Sequence, residues 1–222
     1  MTRIDGQVHE RSRQRLVRNA LAQCPDERVV EAMAKLPRHW FLPDDAQGQA
    51  YVDAPMPIGA GQTISQPSLI AHMLAQLRLR PGYRVLDIGA GSGYATALLA
   101  MLVGPEGAVF ARERQGVLAE RAKILLADIA SDDWAPITIE HADGSEGWPE
   151  WAPYDAIHVA AAFPTDSSAL ARQLSVDGRL IQPVTKARMG QQLQLIIRHP
   201  DDQFEIHDDL PVRFVPIVEG KA

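Results

Sequence analysis

Val85-Leu86-Asp87-Ile88-Gly89-Ala90-Gly91-Ser92-Gly93-Tyr94 is the stretch from which the rest of the chain can be read. A short apolar strand runs directly into glycines at alternate positions, with an acid two residues before the first of them. Residues without Cβ atoms let the backbone turn tightly and let a ligand lie against it. The spacing is Gly-x-Gly-x-Gly, not the Gly-x-Gly-x-x-Gly of dinucleotide folds, so the ligand implied is compact and carries no pyrophosphate. A glycine-rich strand-to-helix turn also serves plain packing, and the loop alone leaves that reading open.

Outward from this loop, strand and helix patterns alternate. A strand over 84–88 leads to a helix over 94–102, and a strand over 108–112 to a helix over 117–130. Strands are expected over 137–140 and 156–160, then a helix near 167–174 and a strand over 179–183. Beyond that point 192–198, 204–207 and 212–217 read as short strands with no helix between them. The fold class expected is α/β, a Rossmann-like doubly wound and mostly parallel sheet with antiparallel C-terminal strands. Upstream, 8–22 and 26–36 read as two helices, the second capped by Asp26 and ended by Pro37. The stretch from 37 to 61 is rich in proline and glycine and reads as a long loop of the kind used for lids and binding. A third helix should start at Ser65-Gln66-Pro67, with Ser65 as N-cap, and run to Leu77 before Pro81-Gly82. One domain is expected over 1–222: N-terminal helices and loop to residue 60, and the core from 61 onward.

The chain has 222 residues, 46% of them apolar, and a formal charge of −6, which argues against a broad nucleic-acid footprint. Arg11, Arg13, Arg15 and Arg18 form one small basic run, read as a solvated helix face. Cys24 is the only cysteine, and no His/Cys cluster has zinc spacing, so neither a disulfide nor a metal is expected. The longest apolar stretch, 95–103 broken only by Thr96, is too short to span a membrane. A cytoplasmic monomer, with no nucleic-acid or membrane partner, is the expectation.

In open α/β sheets, ligands collect outside the carboxyl ends of the strands, and three acids fall there. Asp87 closes the first core strand, Glu113 lies just past the second, and Asp143 follows the third. Glu113 suits a pair of ribose hydroxyls, and Asp143 an exocyclic amine such as that of adenine. Each acid alone is more often a cap or a solvated turn residue; together, beside a glycine loop, they point to a nucleoside. His158 sits within an apolar strand and reads as a satisfied core histidine rather than a catalyst.

The glycine loop resembles the S-adenosylmethionine (SAM) site of class I methyltransferases. With Pro55-Met56-Pro57-Ile58-Gly59-Ala60-Gly61-Gln62-Thr63-Ile64-Ser65-Gln66-Pro67, the chain resembles the protein-L-isoaspartate O-methyltransferase family. The resemblance continues in 37–43, 143–149, 153–157, 177–180, 191–193 and 212–216. It implies methyl transfer from SAM to the α-carboxylate of L-isoaspartyl residues in damaged proteins or peptides, starting their repair through a succinimide. It makes Ser65 the active-site serine. It places Gln62, Thr63, Ile64, Asp87, Gly89, Gly91, Glu113, Asp143 and Gly144 at the cofactor. It places Ile58, Gly59, Ser65, Val212, Phe214 and Val215 at the peptide. Ala60, Gln115, Phe163 and Thr185 depart from the family's usual residues, and Ala60 and Phe163 bear on the substrate lip.

Two rivals stay open on sequence. A relative on the same scaffold could esterify an aspartate in one dedicated peptide, and a SAM-binding protein could lack turnover. A base or RNA methyltransferase fits less well, because the fourth core strand ends in Ala160-Ala161-Ala162-Phe163-Pro164 instead of an Asn/Asp-Pro-Pro-aromatic segment.

Overall fold

The computed structural model describes residues 6–164, 167–187 and 189–222. Helices α1 (Gln7–Asn19) and α2 (Glu27–Lys35) precede a hairpin of β1 (Met56–Gly59) and β2 (Gln62–Ile64). Next come α3 (Pro67–Leu77), β3 (Arg84–Ile88), α4 (Tyr94–Val103), β4 (Ala108–Glu113), α5 (Gly116–Ile129) and β5 (Ile137–His141). The remainder is β6 (Tyr154–Val159), α6 (Ser168–Ala171), β7 (Leu174–Lys186), β8 (Gly190–Arg198) and β9 (Phe204–Val212). Seven strands form one sheet in the order β5-β4-β3-β6-β7-β8-β9. Pairings from β5 across to β7 are parallel, and β8 and β9 add antiparallel pairings at the edge. The chain leaves β3 toward β4 and β5 and returns to β6 on the other side. The switch point, where such sheets open a crevice, therefore lies between the ends of β3 and β6.

Side chains alternate across the strands, so β3 serves both layers. Val85 packs with Leu74, Leu77, Leu98 and Leu126 from α3, α4 and α5. Leu86 and Ile88 pack on the opposite face with Phe110, Trp148 and Tyr154. The antiparallel edge carries a buried polar chain. Ser167 Oγ donates to Gln182 Oε1, Gln182 Nε2 donates to Gln194 Oε1 at 3.1 Å, and Gln194 Nε2 donates to Asp208 Oδ1 at 3.0 Å.

Four expectations need correction. The 37–61 stretch is not without structure: it folds into single turns at Arg38–Phe41 and Gln47–Gln49 and then into β1 of the hairpin. Met56 and Ile58 supply the buried side chains of β1, and Gly59, Ala60 and Gly61 make the turn at φ of 94°, 51° and 69°. Ser65 is not the cap of α3. Gln66 holds that position, while Asp53 Oδ1 accepts the Ser68 amide at 2.8 Å from the distant loop. The helix near 167–174 is only Ser168–Ala171, because β7 begins at Leu174 and passes an irregularity near Asp177, whose φ is 64°. The two strands expected over 204–207 and 212–217 are replaced by one long β9. Asp208, Asp209 and Pro211, which read as breakers, sit on the sheet's edge strand, where charge and proline are tolerated.

Candidate active site

The glycine loop crosses the switch point. Gly89, Gly91 and Gly93 have φ of 83°, 55° and 86°, a region L side chains enter only with strain. At Gly91 a Cβ would come 3.3 Å from Ile58 Cδ1, so the hairpin buttresses the loop from outside. From behind, Asp87 staples it. The carboxylate accepts from Thr96 Oγ1 of α4 at 2.6 Å and lies 2.8 Å from His158 Nδ1 of β6. All three side chains are buried, which bears out His158 as a satisfied core histidine.

Glu113, 5% exposed, sets the loop's other flank. Its Oε2 accepts the Gly91 amide at 2.8 Å, and its Oε1 accepts the Gln115 amide at 2.8 Å. Gly144 lies against the end of β3, where a Cβ would stand 2.8 Å from Ile88 Cγ2. Arg112 holds the turn that follows Asp143: it donates to the Gly147 carbonyl at 2.6 Å and stacks on Trp148 at 4.6 Å.

A cavity of about 650 Å³ opens over these groups. Gly89, Gly91, Glu113 and Gly144 form its floor; Gln62, Thr63 and Ser65 form one wall. Val212, Phe214 and Val215 cover it. The cover is held in two ways. Gln191 pairs with the Phe214 backbone, accepting its N–H at 2.6 Å and donating to its carbonyl at 3.1 Å. Ala162 accepts from Ile217 N–H and donates to the Val215 carbonyl, each at 2.8 Å.

Four residues assigned to the site do not line the cavity, and a fifth lies beside it. Asp87 is behind the loop and faces α4, because side chains at successive β3 positions point to opposite layers. Ile58 and Ile64 are buried, and Gly59 is exposed at the hairpin turn. None of these four lines the cavity. Asp143 lies beside it, next to the lining residue Gly144, and each of its oxygens accepts one amide as those of Glu113 do: Oδ1 from Ser145 at 2.8 Å and Oδ2 from Gly220 at 2.6 Å. Burial pushes its pKa up, but those amides, the Ser145 hydroxyl and Arg114 outweigh that and hold it below the ordinary carboxylate range. A depressed folded-state pKa means the Gly220 contact persists above the usual carboxylate range and is lost as pH falls through the lowered value. The Gly220 amide resonance should therefore titrate below the pH expected for an ordinary aspartate. A midpoint at or above that value, followed by NMR, would remove the contact.

Arg112 and the 218–222 segment were not anticipated from sequence. A charge closing an otherwise apolar strand was the available signal for Arg112; the segment's pairing with Arg114 depends on chain 106 residues away and left none.

The family model for protein-L-isoaspartate(D-aspartate) O-methyltransferase matches residues 11–222. The chain belongs to this family. A relative from Ignicoccus hospitalis, named protein-L-isoaspartate O-methyltransferase, is 44% identical over 212 residues, covering 95% of this chain and 99% of its own. One of the same name from Methylorubrum extorquens is 47% identical over 195 residues, 88% of this chain and 82% of its own. Among solved structures, one described as a protein-L-isoaspartate O-methyltransferase from Plasmodium falciparum, in complex with S-adenosyl-L-homocysteine, superposes with a TM-score of 0.82 at 25% identity. It covers 96% of this chain and 99% of its own. Within the family's frame, the distinctive Gly61-Gln62-Thr63-Ile64-Ser65 block becomes legible as geometry: it is the strand that carries Gln62, Thr63 and Ser65 to the cavity wall. Among the described residues no group of His, Cys, Asp and Glu is arranged to hold a metal ion, and no helix is long and apolar enough to cross a membrane.

Proposed function

We infer that this protein transfers a methyl group from SAM to the α-carboxylate of L-isoaspartyl residues, starting their repair through a succinimide. One observation carries the reading beyond family membership. The glycine loop and the Gln62–Ser65 wall face a single covered cavity, so a cofactor on the loop and a carboxylate at Ser65 would meet. The donor set fits an adenosyl group: a buried carboxylate at Glu113 for vicinal hydroxyls, and bare backbone at Gly89, Gly91 and Gly144 for close approach.

SAM, when bound, supplies an electrophilic methyl on a sulfonium. The accepting carboxylate is ionised near neutral pH and needs no strong base. The protein's part is then orientation and exclusion of water, and ideal positioning contributes up to ~7–11 kcal/mol. Ser65 is suited to aim the carboxylate. Its hydroxyl makes no hydrogen bond among the described residues, because Asp53 and Gln66 have taken over the start of α3. The cover from Val212 to Val215 offers backbone to an extended peptide and closes the reacting atoms from solvent.

Ser65→Ala is expected to lower kcat about 10- to 100-fold, the worth of one hydrogen bond to a charged group. SAM affinity should stay unchanged; equal losses in both, by calorimetry and initial rates, would sink the orienting role. A cytoplasmic monomer with no nucleic-acid partner remains part of this reading, supported by the free Cys24 and the charge of −6. The deciding experiment is methyl transfer from labelled SAM to an isoaspartyl peptide beside its aspartyl counterpart. Base-labile label in the isoaspartyl form alone is the expected result, and none in either peptide would overturn the reading.

A further inference from the structure

The groove that the cover leaves open does not end at the reacting atoms. One face of α3 continues it. Ser65, Ser68, Leu69 and His72 line the main cavity, and His72, Ala75, Gln76 and Leu79 line a second depression of about 740 Å³ beyond. Within α3, Ser68, Leu69, His72, Ala75 and Gln76 repeat at intervals of three and four, the spacing of one helical stripe, and Ser65 and Leu79 flank its two ends. His72 belongs to both hollows and is tied across the groove to Asp209 of β9.

The far depression carries charges of both signs. Arg28 and Asp26 neutralise each other at 2.8 Å, Glu27 on the same rim has no ion-pair partner among the described residues, and Asp209 on His72 sets a further acid at the near end. Against these lie Arg78 and Arg80, both exposed and, among the described residues, without an ion-pair partner. Arg179 adjoins them: burial is the main cause of its lowered pKa and the nearby charge of Arg78 adds to it, while Glu205 of β9 opposes both. Counted over the lining, Arg28, Arg78 and Arg80 exceed Asp26 and Glu27 by one positive charge, and the exposed guanidinium groups of Arg78 and Arg80 are the ones left to meet an incoming acid.

We propose that this trough is a distal subsite for the substrate polypeptide, taking acidic side chains that lie well away from the isoaspartyl residue. The proposal rests on the functional reading above. Its distance is set by the helix. The 11 residues of α3 span ~17 Å, and an extended chain covers that in about five or six residues. Acidic residues immediately beside the isoaspartate would not reach Arg78 and Arg80; those six or more positions away would.

The test compares isoaspartyl peptides of equal length carrying three aspartates either one to three or six to eight positions from the isoaspartate, with serine at the same sites as control. The set is made on the N-terminal and on the C-terminal side. For the distal acidic set on one side, KM should fall about 5-fold relative to serine, and the gain should vanish in 0.5 M salt, as exposed charge pairs do. Arg78→Gln with Arg80→Gln should abolish the gain while leaving kcat and KM of a short uncharged isoaspartyl peptide unchanged, which also shows that the variant is folded. No distal gain on either side, or a gain that survives the double substitution, overturns the subsite. The same holds for equal binding of an acidic peptide lacking isoaspartate, which would make the trough a general anion surface. No transfer even to the short uncharged peptide would instead overturn the functional reading, and the subsite with it.

Discussion

Asp87→Ala is expected to lower folding stability by about 2–5 kcal/mol, the cost of leaving two buried polar groups without a partner. The residue is fully buried, as is Thr96, and His158 is 2% exposed. Truncation would leave an imidazole and a hydroxyl without partners in the layer between β3, β6 and α4. The substitution touches no group facing the cavity, so its first readout is unfolding, measured by urea titration at unchanged slope. SAM affinity should fall as a consequence, because the Thr96–Asp87 bond closes the glycine loop from behind. Asp87→Asn keeps size and one acceptor and should lose clearly less. A loss below 1 kcal/mol for the alanine variant would show that the pair is dispensable.

Glu113→Ala is expected to weaken SAM binding at least 100-fold and to lower folding stability as well, since two backbone amides lose their acceptor. Each carboxylate oxygen accepts one backbone amide at 2.8 Å, one from the glycine loop and one from the start of α5. Bonds to a charged acceptor contribute about 1.5–3 kcal/mol each, and here they hold the backbone to which the adenosyl group is proposed to bind. The same side chain is the proposed acceptor for the ribose hydroxyls, so alanine removes the contact and loosens the frame together. Glu113→Gln separates the two parts: an amide can accept only one of the two N–H groups, and affinity should fall by an intermediate factor. Calorimetry giving an unchanged dissociation constant for Glu113→Ala would remove this carboxylate from the site.

The parts of the fold that were legible in the sequence are those fixed by local pattern. Apolar runs ending in turn residues marked β3, β4, β5 and β6, and alternation with helices implied their parallel order. His158 was legible too, because a polar residue inside an apolar strand requires a buried partner. What escaped depended on distant chain. Ser65 has the chemistry of a cap and the right position, yet Asp53 reaches α3 first, and no local pattern encodes that competition. Asp87, Glu113 and Asp143 were all placed correctly at strand ends. Sequence could not tell that Asp87 turns inward or that Asp143 already holds the Gly220 amide, since both facts depend on which face each Cβ takes and where the chain returns. The strands at the edge misled for the opposite reason: β9 tolerates breakers because one of its sides has no neighbour.

The amides buried at that edge have a consequence for how the chain finds its fold. Gln182, Gln194 and Asp208 stand directly opposite one another across β7, β8 and β9. Sliding β8 by one residue would set Leu193 or Leu195 against Gln182 and strand buried amides at about 1–3 kcal/mol apiece. An apolar ladder of Leu, Ile and Val would accept such a slip far more readily. The polar rung therefore acts as a proofreading mark on strand alignment, penalising misthreaded edges. Because β9 leads straight into the residues that roof the cavity, a correct roof certifies a correctly aligned sheet, and a chain that fails the check leaves the methyl-transfer chamber open to water.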